Sequence, residues 1–142
     1  MNHERNTAHN APLLEVEDLS VDFAVDNYWI PAAKKLNYSV ERGKALAIVG
    51  ESGSGKSASS MAMLGLLPKN ARISGSVRLD GREIRGLRPD ELRRVRGREI
   101  AVIFQEPMTA LNPVFTIGFQ IIETLRTHFG MTPSEAKARA LE

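Results

Sequence analysis

The chain of 142 residues is long enough for one domain with a hydrophobic core, and its 42% apolar and 25% charged residues are ordinary for soluble globular proteins. It has no cysteine, which excludes disulfides, thiolate metal sites and iron–sulfur clusters, and it lacks the run of roughly 18 apolar residues that a membrane span needs. The net charge is only +2, but nine arginines stand against four acids between Arg72 and Arg98, a surplus that could face an anionic partner or form a solvated surface.

The first part of the chain has the pattern of an antiparallel β-region. Residues 1–12 are polar and predict a disordered lead-in, without the apolar core of a signal peptide. From Leu14 to Val25, apolar and polar residues alternate with one irregularity, which predicts either a single half-buried strand or two strands with a β-bulge at Asp18. Residues 35–40 resemble a second strand, and residues 41–44 predict a turn into the next apolar segment.

A glycine-rich loop between two apolar segments is the most informative stretch. Residues 45–49 have the length and composition of a buried strand, and residues 58–67 are a largely apolar segment that stops at Pro68, as a buried helix would. Between them, the chain fits the spacing G-x-x-x-x-G-K-[ST] at every fixed position. The residues of this stretch predicted to contact a nucleotide are Gly50, Glu51, Ser52, Gly53, Ser54, Gly55, Lys56, Ser57 and Ala58.

The residue types of this loop suit a nucleoside triphosphate carrying Mg²⁺. Glycines let the backbone bring its N–H groups close to phosphates, and the following helix adds the positive end of its dipole. Lys56 is placed to reach the β- and γ-phosphates, and the Ser57 hydroxyl is placed to ligate Mg²⁺. The alternative is a glycine-rich turn that merely joins a strand to a helix. Because Lys56 and Ser57 are both in register and both flanks fit, the triphosphate site is favoured.

Beyond the loop, turn signals separate several short elements. Residues 73–79 alternate as a strand does, and Asp80–Gly81 is a strong turn signal. A short helix is predicted from Pro89, with acids in its first turn, arginines in its last turn and an exit at Gly97. Residues 100–104 are a continuous apolar run, which predicts a second buried strand of the core.

Two helices are predicted in the last part of the chain. Residues 117–129 carry apolar side chains at helical spacing, and Gly130 is the expected exit. The sequence Thr132–Glu135 is a capping box with proline at the first helical position, so a further helix is expected to begin there.

A second motif narrows the family. The segment Phe104–Pro113 reads Phe-Gln-Glu-Pro-Met-Thr-Ala-Leu-Asn-Pro. Together with Gly50–Ser57, it resembles the ATP-binding subunits of ATP-binding-cassette (ABC) transporters, and most of all the importers of peptides, nickel and glutathione. The resemblance covers residues 13–142. It implies an α/β, P-loop NTPase fold, incomplete in this chain, with an antiparallel β-subdomain and the start of a helical subdomain over residues 117–142.

The resemblance also implies roles for residues outside the loop. Gln105 matches the family's Q-loop glutamine, which contacts Mg²⁺ and the attacking water, so Ser57 and Gln105 are the expected metal contacts. Phe23 falls where the family stacks an aromatic ring on adenine, and a phenylalanine face is adequate for stacking. The alternative is that Phe23 is a core residue of its strand, with Tyr28 or Trp29 supplying the ring.

The implied function is that of an energy-coupling subunit of a peptide or glutathione importer, with ATP and Mg²⁺ as cofactors. Its expected partners are a second ABC ATPase subunit and transmembrane permease subunits, with residues 105–129 as the coupling surface and no nucleic acid involved. The expected location is the cytoplasm, peripheral on the inner face of the plasma membrane. Two alternatives are a truncated, non-catalytic nucleotide-binding remnant and a soluble ABC-type protein that acts on nucleic acid, the latter motivated by the arginine surplus.

Several family motifs have no counterpart in these 142 residues: the signature Leu-Ser-Gly-Gly-Gln, the acidic strand with the catalytic glutamate, and the switch histidine. Hydrolysis needs a group that activates water, and neither Glu51 nor Glu106 is a credible substitute. We therefore expect this chain to bind MgATP without turning it over alone, and to contain no catalytic residue beyond water and metal positioning by Gln105. Because parallel sheets need both faces covered, we also expect marginal stability or aggregation.

Overall fold

The computed structural model describes residues 11–106 and 110–142. Most of the predicted lead-in over residues 1–12 lies outside the described residues, as do residues 107–109 of the second motif. The chain divides after Arg88 into two compact units, each of which is described by itself. The assignment of residues 13–142 to the N-terminal portion of an ABC ATPase domain stays a prediction.

The first unit is built on a four-stranded antiparallel sheet in the order β2-β1-β3-β4. Its strands are β1 (Leu14–Val25), β2 (Tyr28–Val40), β3 (Ala71–Leu79) and β4 (Arg82–Glu83). The predicted strand over residues 14–25 and the turn at Asp80–Gly81, where both φ angles are positive, are confirmed. The predicted strand over residues 35–40 is the second half of the longer β2.

The bulge predicted at Asp18 is also confirmed. The register between β1 and β2 shifts between Val16 and Leu19, and Asp18 has a φ of 49°. The Asn37 side chain stabilises this irregularity, since its Oδ1 accepts from the Asp18 backbone N–H at 3.0 Å and its Nδ2 donates to Asp18 Oδ1 at 3.2 Å. The polar groups that the bulge releases from the ladder are thereby hydrogen-bonded.

One helix packs on this sheet and completes a small core. Helix α1 (Lys56–Met63) places Ala62 against Val21 of β1 and Ala33 of β2, and all three side chains are buried. Helix α1 ends at Met63, before the end of the predicted segment of residues 58–67, and Leu64 is its C-cap. The contact between α1 and the sheet fixes the glycine-rich loop, because the loop leads directly into the helix.

Two predicted strands are wrong. Residues 45–49 and residues 100–104 are not strands, and apart from a single bridge between Arg96 and Ile100, neither segment pairs within the described part of the chain. Val49 is 89% exposed and Ile103 is 97% exposed. Both segments are apolar, as buried strands are, but a strand forms only where a neighbouring strand supplies backbone hydrogen-bond partners.

The described residues of the second unit form three helices: α2 (Pro89–Val95), α3 (Ile117–Phe129) and α4 (Pro133–Leu141). All three confirm the predicted elements. Helix α3 is capped by Thr116, whose side chain accepts from the Phe119 backbone N–H, and it ends at Gly130 with a φ of 64°. Helix α4 begins with the predicted capping box of Thr132 and Glu135.

Candidate functional site

The glycine-rich loop forms a turn that delivers the chain into helix α1. The Ser54 backbone N–H donates to the Glu51 carbonyl at 3.1 Å, and the Ser59 N–H donates to the Gly55 carbonyl at 2.9 Å as the first helical bond. Gly55 is the residue before the helix and has left-handed backbone angles, with a φ of 87° and no side-chain cap. Within residues 11–106 and 110–142, the first N–H groups of α1 have no acceptor and can donate to a ligand.

Two glycines of the motif lie where an added side chain would meet a neighbour, backbone at Gly55 and a movable side chain at Gly50. A Cβ at Gly55 would overlap the carbonyl oxygen of Ala32 on β2, so the end of the loop lies directly against the sheet backbone. A Cβ at Gly50 would lie 2.6 Å from Ser54 Oγ and 3.6 Å from Lys56 Nζ. The first distance is short, so residue 50 lies close to the Ser54 hydroxyl, whereas the second is an ordinary van der Waals contact.

The Lys56 ammonium lies over the loop rather than in solvent. Its Nζ donates to the Gly50 carbonyl at 2.6 Å, to the Glu51 carbonyl at 2.7 Å and to Ser54 Oγ at 3.1 Å. An ammonium has three hydrogens, so these three acceptors satisfy it completely. The loop therefore places one positive charge at the N-terminal end of α1.

The remaining loop residues are open to solvent or support the core. Ser57 is exposed, and its hydroxyl has no hydrogen-bond partner among residues 11–106 and 110–142. Ala58 is partly buried against the cluster of Val21 and Ala33, so it anchors the helix rather than offering a polar group. Glu51, Ser52 and Gly53 are exposed along the outer side of the turn.

This arrangement suits a polyphosphate with its metal. The N–H groups at a helix N-terminus can donate to phosphate oxygens, and the lysine ammonium adds positive charge beside them. The unpaired Ser57 hydroxyl beside them can supply one oxygen ligand to Mg²⁺, which usually takes its other ligands from phosphates and water. Within the part of the chain that the structure describes, no cluster of three or more His, Cys, Asp or Glu side chains could hold a metal by itself.

The aromatic candidates lie in the same unit as the loop. Phe23 is partly buried and packs against the cluster of Val21, Ala33 and Ala62, beside which the loop enters α1. Tyr28 is 75% exposed at the tip of the β1–β2 hairpin. Trp29 already has a partner, since the Arg72 guanidinium lies 4.4 Å from its ring centroid.

Gln105 belongs to the second unit, where it lies on an exposed bend that precedes α3 in the sequence. A second amide of this unit, Gln120, has well-defined hydrogen-bond partners. The Gln120 side chain accepts from the Asn112 N–H at 2.9 Å and donates to the carbonyls of Asn112 and Phe115 at 3.0 Å each. It therefore fixes the loop before α3. The only signal in the sequence was an amide in the first turn of a helix that follows a loop.

No helix among the described residues has both the length and the apolar character needed to cross a bilayer. The longest, α3, has 13 residues.

Comparison with known proteins assigns the family. The family model for the ABC transporter domain matches residues 33–141. The chain is 48% identical over 133 residues to the oligopeptide transport ATP-binding protein OppD of Mycobacterium tuberculosis, covering 93% of this chain and 22% of that protein. It is 49% identical to a putative peptide import ATP-binding protein of Brucella abortus, covering 93% of this chain and 40% of that protein.

The fold is likewise similar to that of a solved cassette. The dimeric structure of MJ0796, a bacterial ABC transporter cassette, matches with a TM-score of 0.77 and 26% identity, covering 90% of this chain and 54% of that chain. The same cassette in a post-hydrolysis state bound to ADP and Pi matches with a TM-score of 0.74. This chain spans 40% or less of the length of the curated relatives described above. Its matched region and its fold place it in the ABC transporter family, as part of a P-loop ATPase cassette.

Proposed function

We propose that this chain is part of the ATP-binding, energy-coupling subunit of an ABC importer for peptides or glutathione, and that it binds MgATP through residues 50–58. The observation that carries the proposal is the Lys56 ammonium held over a glycine loop at the start of α1. Relatives named for oligopeptide transport and peptide import, at 48–49% identity, support the transport class.

In this proposal, the loop residues divide the work of binding. The backbone N–H groups at the start of α1 surround the phosphates, while Lys56 contacts the β- and γ-phosphates. Ser57 and Gln105 contact Mg²⁺, and Gln105 also positions water. Phe23 supplies an apolar face for adenine, because it lies in the unit that holds the loop and is only partly buried. Tyr28 is the alternative ring, since Trp29 is engaged by Arg72.

Replacing Lys56 by alanine tests the phosphate site. The variant removes the one cation of the loop, so we expect MgATP affinity to fall by at least about tenfold, which corresponds to a charged hydrogen bond of about 1.5–3 kcal/mol. Isothermal titration calorimetry measures the affinity, and circular dichroism checks the fold. Lys69→Ala is the matched control, because Lys69 is an exposed lysine in the same unit. Equal affinity in wild type and Lys56→Ala would overturn the proposed function.

The coupling surface is proposed to lie within residues 105–129. In this segment several apolar side chains are exposed, and the rings of Phe115 and Phe119 stack with their centroids 5.1 Å apart. Val114 is 81% exposed at the end of the loop that Gln120 fixes. Apolar side chains held rigidly at a surface are typical of a protein contact. The proposed contact is with a permease subunit, which would keep the protein at the inner face of the plasma membrane beside a second ATPase subunit.

A cysteine-free chain allows a clean crosslinking test of this contact. We expect the Val114→Cys variant to crosslink to the permease subunit in membranes that contain the assembled importer. The Lys137→Cys variant, with its cysteine on α4 and outside residues 105–129, is the control. Crosslinking of the α4 variant without crosslinking of the Val114→Cys variant would place the contact elsewhere and contradict the proposed surface.

Two of the nine arginines between residues 72 and 98 are paired with acids, which weakens the case for a nucleic-acid function. Arg72 is paired with Asp22 at 2.9 Å, and Arg78 contacts Glu15 at 3.3 Å and Glu17 at 2.8 Å. These guanidinium groups are matched by acids on the neighbouring β1 strand, so they add little net positive field for phosphates. Salt-dependent retention of the nucleotide-free chain on DNA would revive that alternative.

A further inference from the structure

The contacts of Lys56 describe a loop that binds its own lysine. All three hydrogens of the ammonium are directed at acceptors within residues 50–54, namely two backbone carbonyls and the Ser54 hydroxyl. A phosphate oxygen that takes up Lys56 must replace at least some of these acceptors, because the ammonium has no further hydrogen to donate.

Ser54 is the one side chain among these acceptors, and its position is closely determined. Its Oγ lies 3.1 Å from Lys56 Nζ, and it occupies the space that a Cβ on Gly50 would enter. The Ser54 backbone N–H is fixed in turn by the Glu51 carbonyl at 3.1 Å. The hydroxyl is therefore held at one side of the ammonium by the turn itself.

We infer that Ser54 is a positioning residue for Lys56: it completes a three-acceptor latch that holds the lysine on the ligand-free loop and that phosphate has to open. This inference rests on the proposed function for its purpose, since a latch matters only if the loop takes a polyphosphate. It assigns to Ser54 a role in the empty loop that is distinct from contact with the nucleotide.

Lysine labelling of the ligand-free chain tests the latch directly. Limited reductive methylation, followed by peptide mass spectrometry, compares the rate at Lys56 with that at the exposed Lys69 of the same unit. We expect Lys56 to react several-fold more slowly than Lys69. Ser54→Ala removes one acceptor and is expected to raise the Lys56 rate about threefold, in line with the loss of one modest hydrogen bond.

Two further variants make the test specific. Ser60→Ala is the matched control, because the Ser60 hydroxyl bonds to the backbone carbonyl of Lys56 at 3.0 Å and not to its ammonium. We expect it to leave the Lys56 labelling rate unchanged. Gly50→Ala should raise that rate, because its Cβ displaces the Ser54 hydroxyl. Gly50→Ala therefore provides a second measurement of the effect on Lys56 labelling if Ser54→Ala does not fold.

Titration with magnesium tripolyphosphate separates the latch from direct phosphate contact. If Ser54 acts mainly on the empty loop, Ser54→Ala should bind tripolyphosphate about threefold more tightly, because a competing contact has been removed. Weaker binding by Ser54→Ala with an unchanged Lys56 labelling rate would overturn the inference. So would a Lys56 labelling rate equal to that of Lys69 in the wild type. Labelling uses no ligand, so it tests the latch separately from nucleotide binding. If Lys56 is protected from methylation but the chain does not bind MgATP, the proposed function is wrong and the latch is still supported.

Discussion

At the scale of single residues, the glycines of the glycine-rich loop differ in the physical reason for which a glycine is needed. Gly53 and Gly55 both have left-handed φ angles, 80° and 87°. A Cβ at Gly53 would meet nothing within 4 Å, whereas a Cβ at Gly55 would overlap the Ala32 carbonyl. The first position needs glycine for its backbone angle alone, and the second needs it for the angle and for its close contact with β2.

This difference gives a paired prediction. Gly53→Ala should cost only the strain of a non-glycine residue at positive φ, about 1–2 kcal/mol in the free energy of unfolding. Gly55→Ala should cost clearly more, by at least about 1 kcal/mol beyond Gly53→Ala, because the backbone of β2 or of the loop must also move. Urea unfolding followed by the fluorescence of Trp29, the single tryptophan, measures both. Equal losses for the two variants would show that the contact with Ala32 carries no energetic weight.

At the scale of elements, the start of helix α4 makes stability depend on pH. The Thr132 backbone N–H and hydroxyl donate to the Glu135 carboxylate at 2.9 Å and 2.8 Å, and these bonds hold the pKa of Glu135 below its ordinary value of 4.5. A carboxyl group whose pKa is lower in the folded form than in the unfolded form stabilises the folded form at pH values above its ordinary pKa. That contribution is lost as the pH falls from 4.5 through the lowered pKa.

We therefore expect the first turn of α4 to fray as the pH is lowered below about 4.5, the ordinary pKa of this carboxyl. Backbone Cα chemical shifts over Pro133–Leu141, recorded between neutral and acid pH, measure the fraction of helix. In Glu135→Gln the amide can still accept from Thr132 but does not titrate, so its α4 shifts should change little over the same range. A wild-type helix that is insensitive to acid, or a Gln variant that frays equally, would contradict the role of Glu135.

The elements that the sequence predicted well are those whose signals are local. The limits of α3 and α4 follow from Gly130, Thr132 and Glu135, which act on the backbone within one turn. The bulge at Asp18 also followed from a break in alternation. The hydrogen bonds of Lys56 could not be predicted from the sequence. The motif spacing places the lysine at the loop but does not indicate that the carbonyls of residues 50 and 51 accept hydrogen bonds from its ammonium.

The two failed strand predictions have a different cause, which belongs to the whole molecule. Residues 45–49 and residues 100–104 have the composition of buried strands, yet a parallel strand depends on neighbours that are distant in sequence. In the described part of the chain, no such neighbour pairs with either segment. The apolar composition of these segments therefore did not by itself determine whether they pair.

The exposed apolar segments predict that the 142-residue chain associates with itself. Val49 is 89% exposed and Ile103 is 97% exposed, and each lies in an apolar run that forms no strand within residues 11–106 and 110–142, the combination that promotes intermolecular strand pairing. Sedimentation velocity should show a sedimentation coefficient that rises with protein concentration, and Val49→Lys with Ile103→Lys should reduce that rise. Thr127→Lys on α3 is the control, because it adds a charge at an exposed site without removing apolar surface. If Thr127→Lys reduces the rise equally, net charge rather than apolar exposure governs association. A wild-type sedimentation coefficient that does not depend on concentration would contradict the prediction.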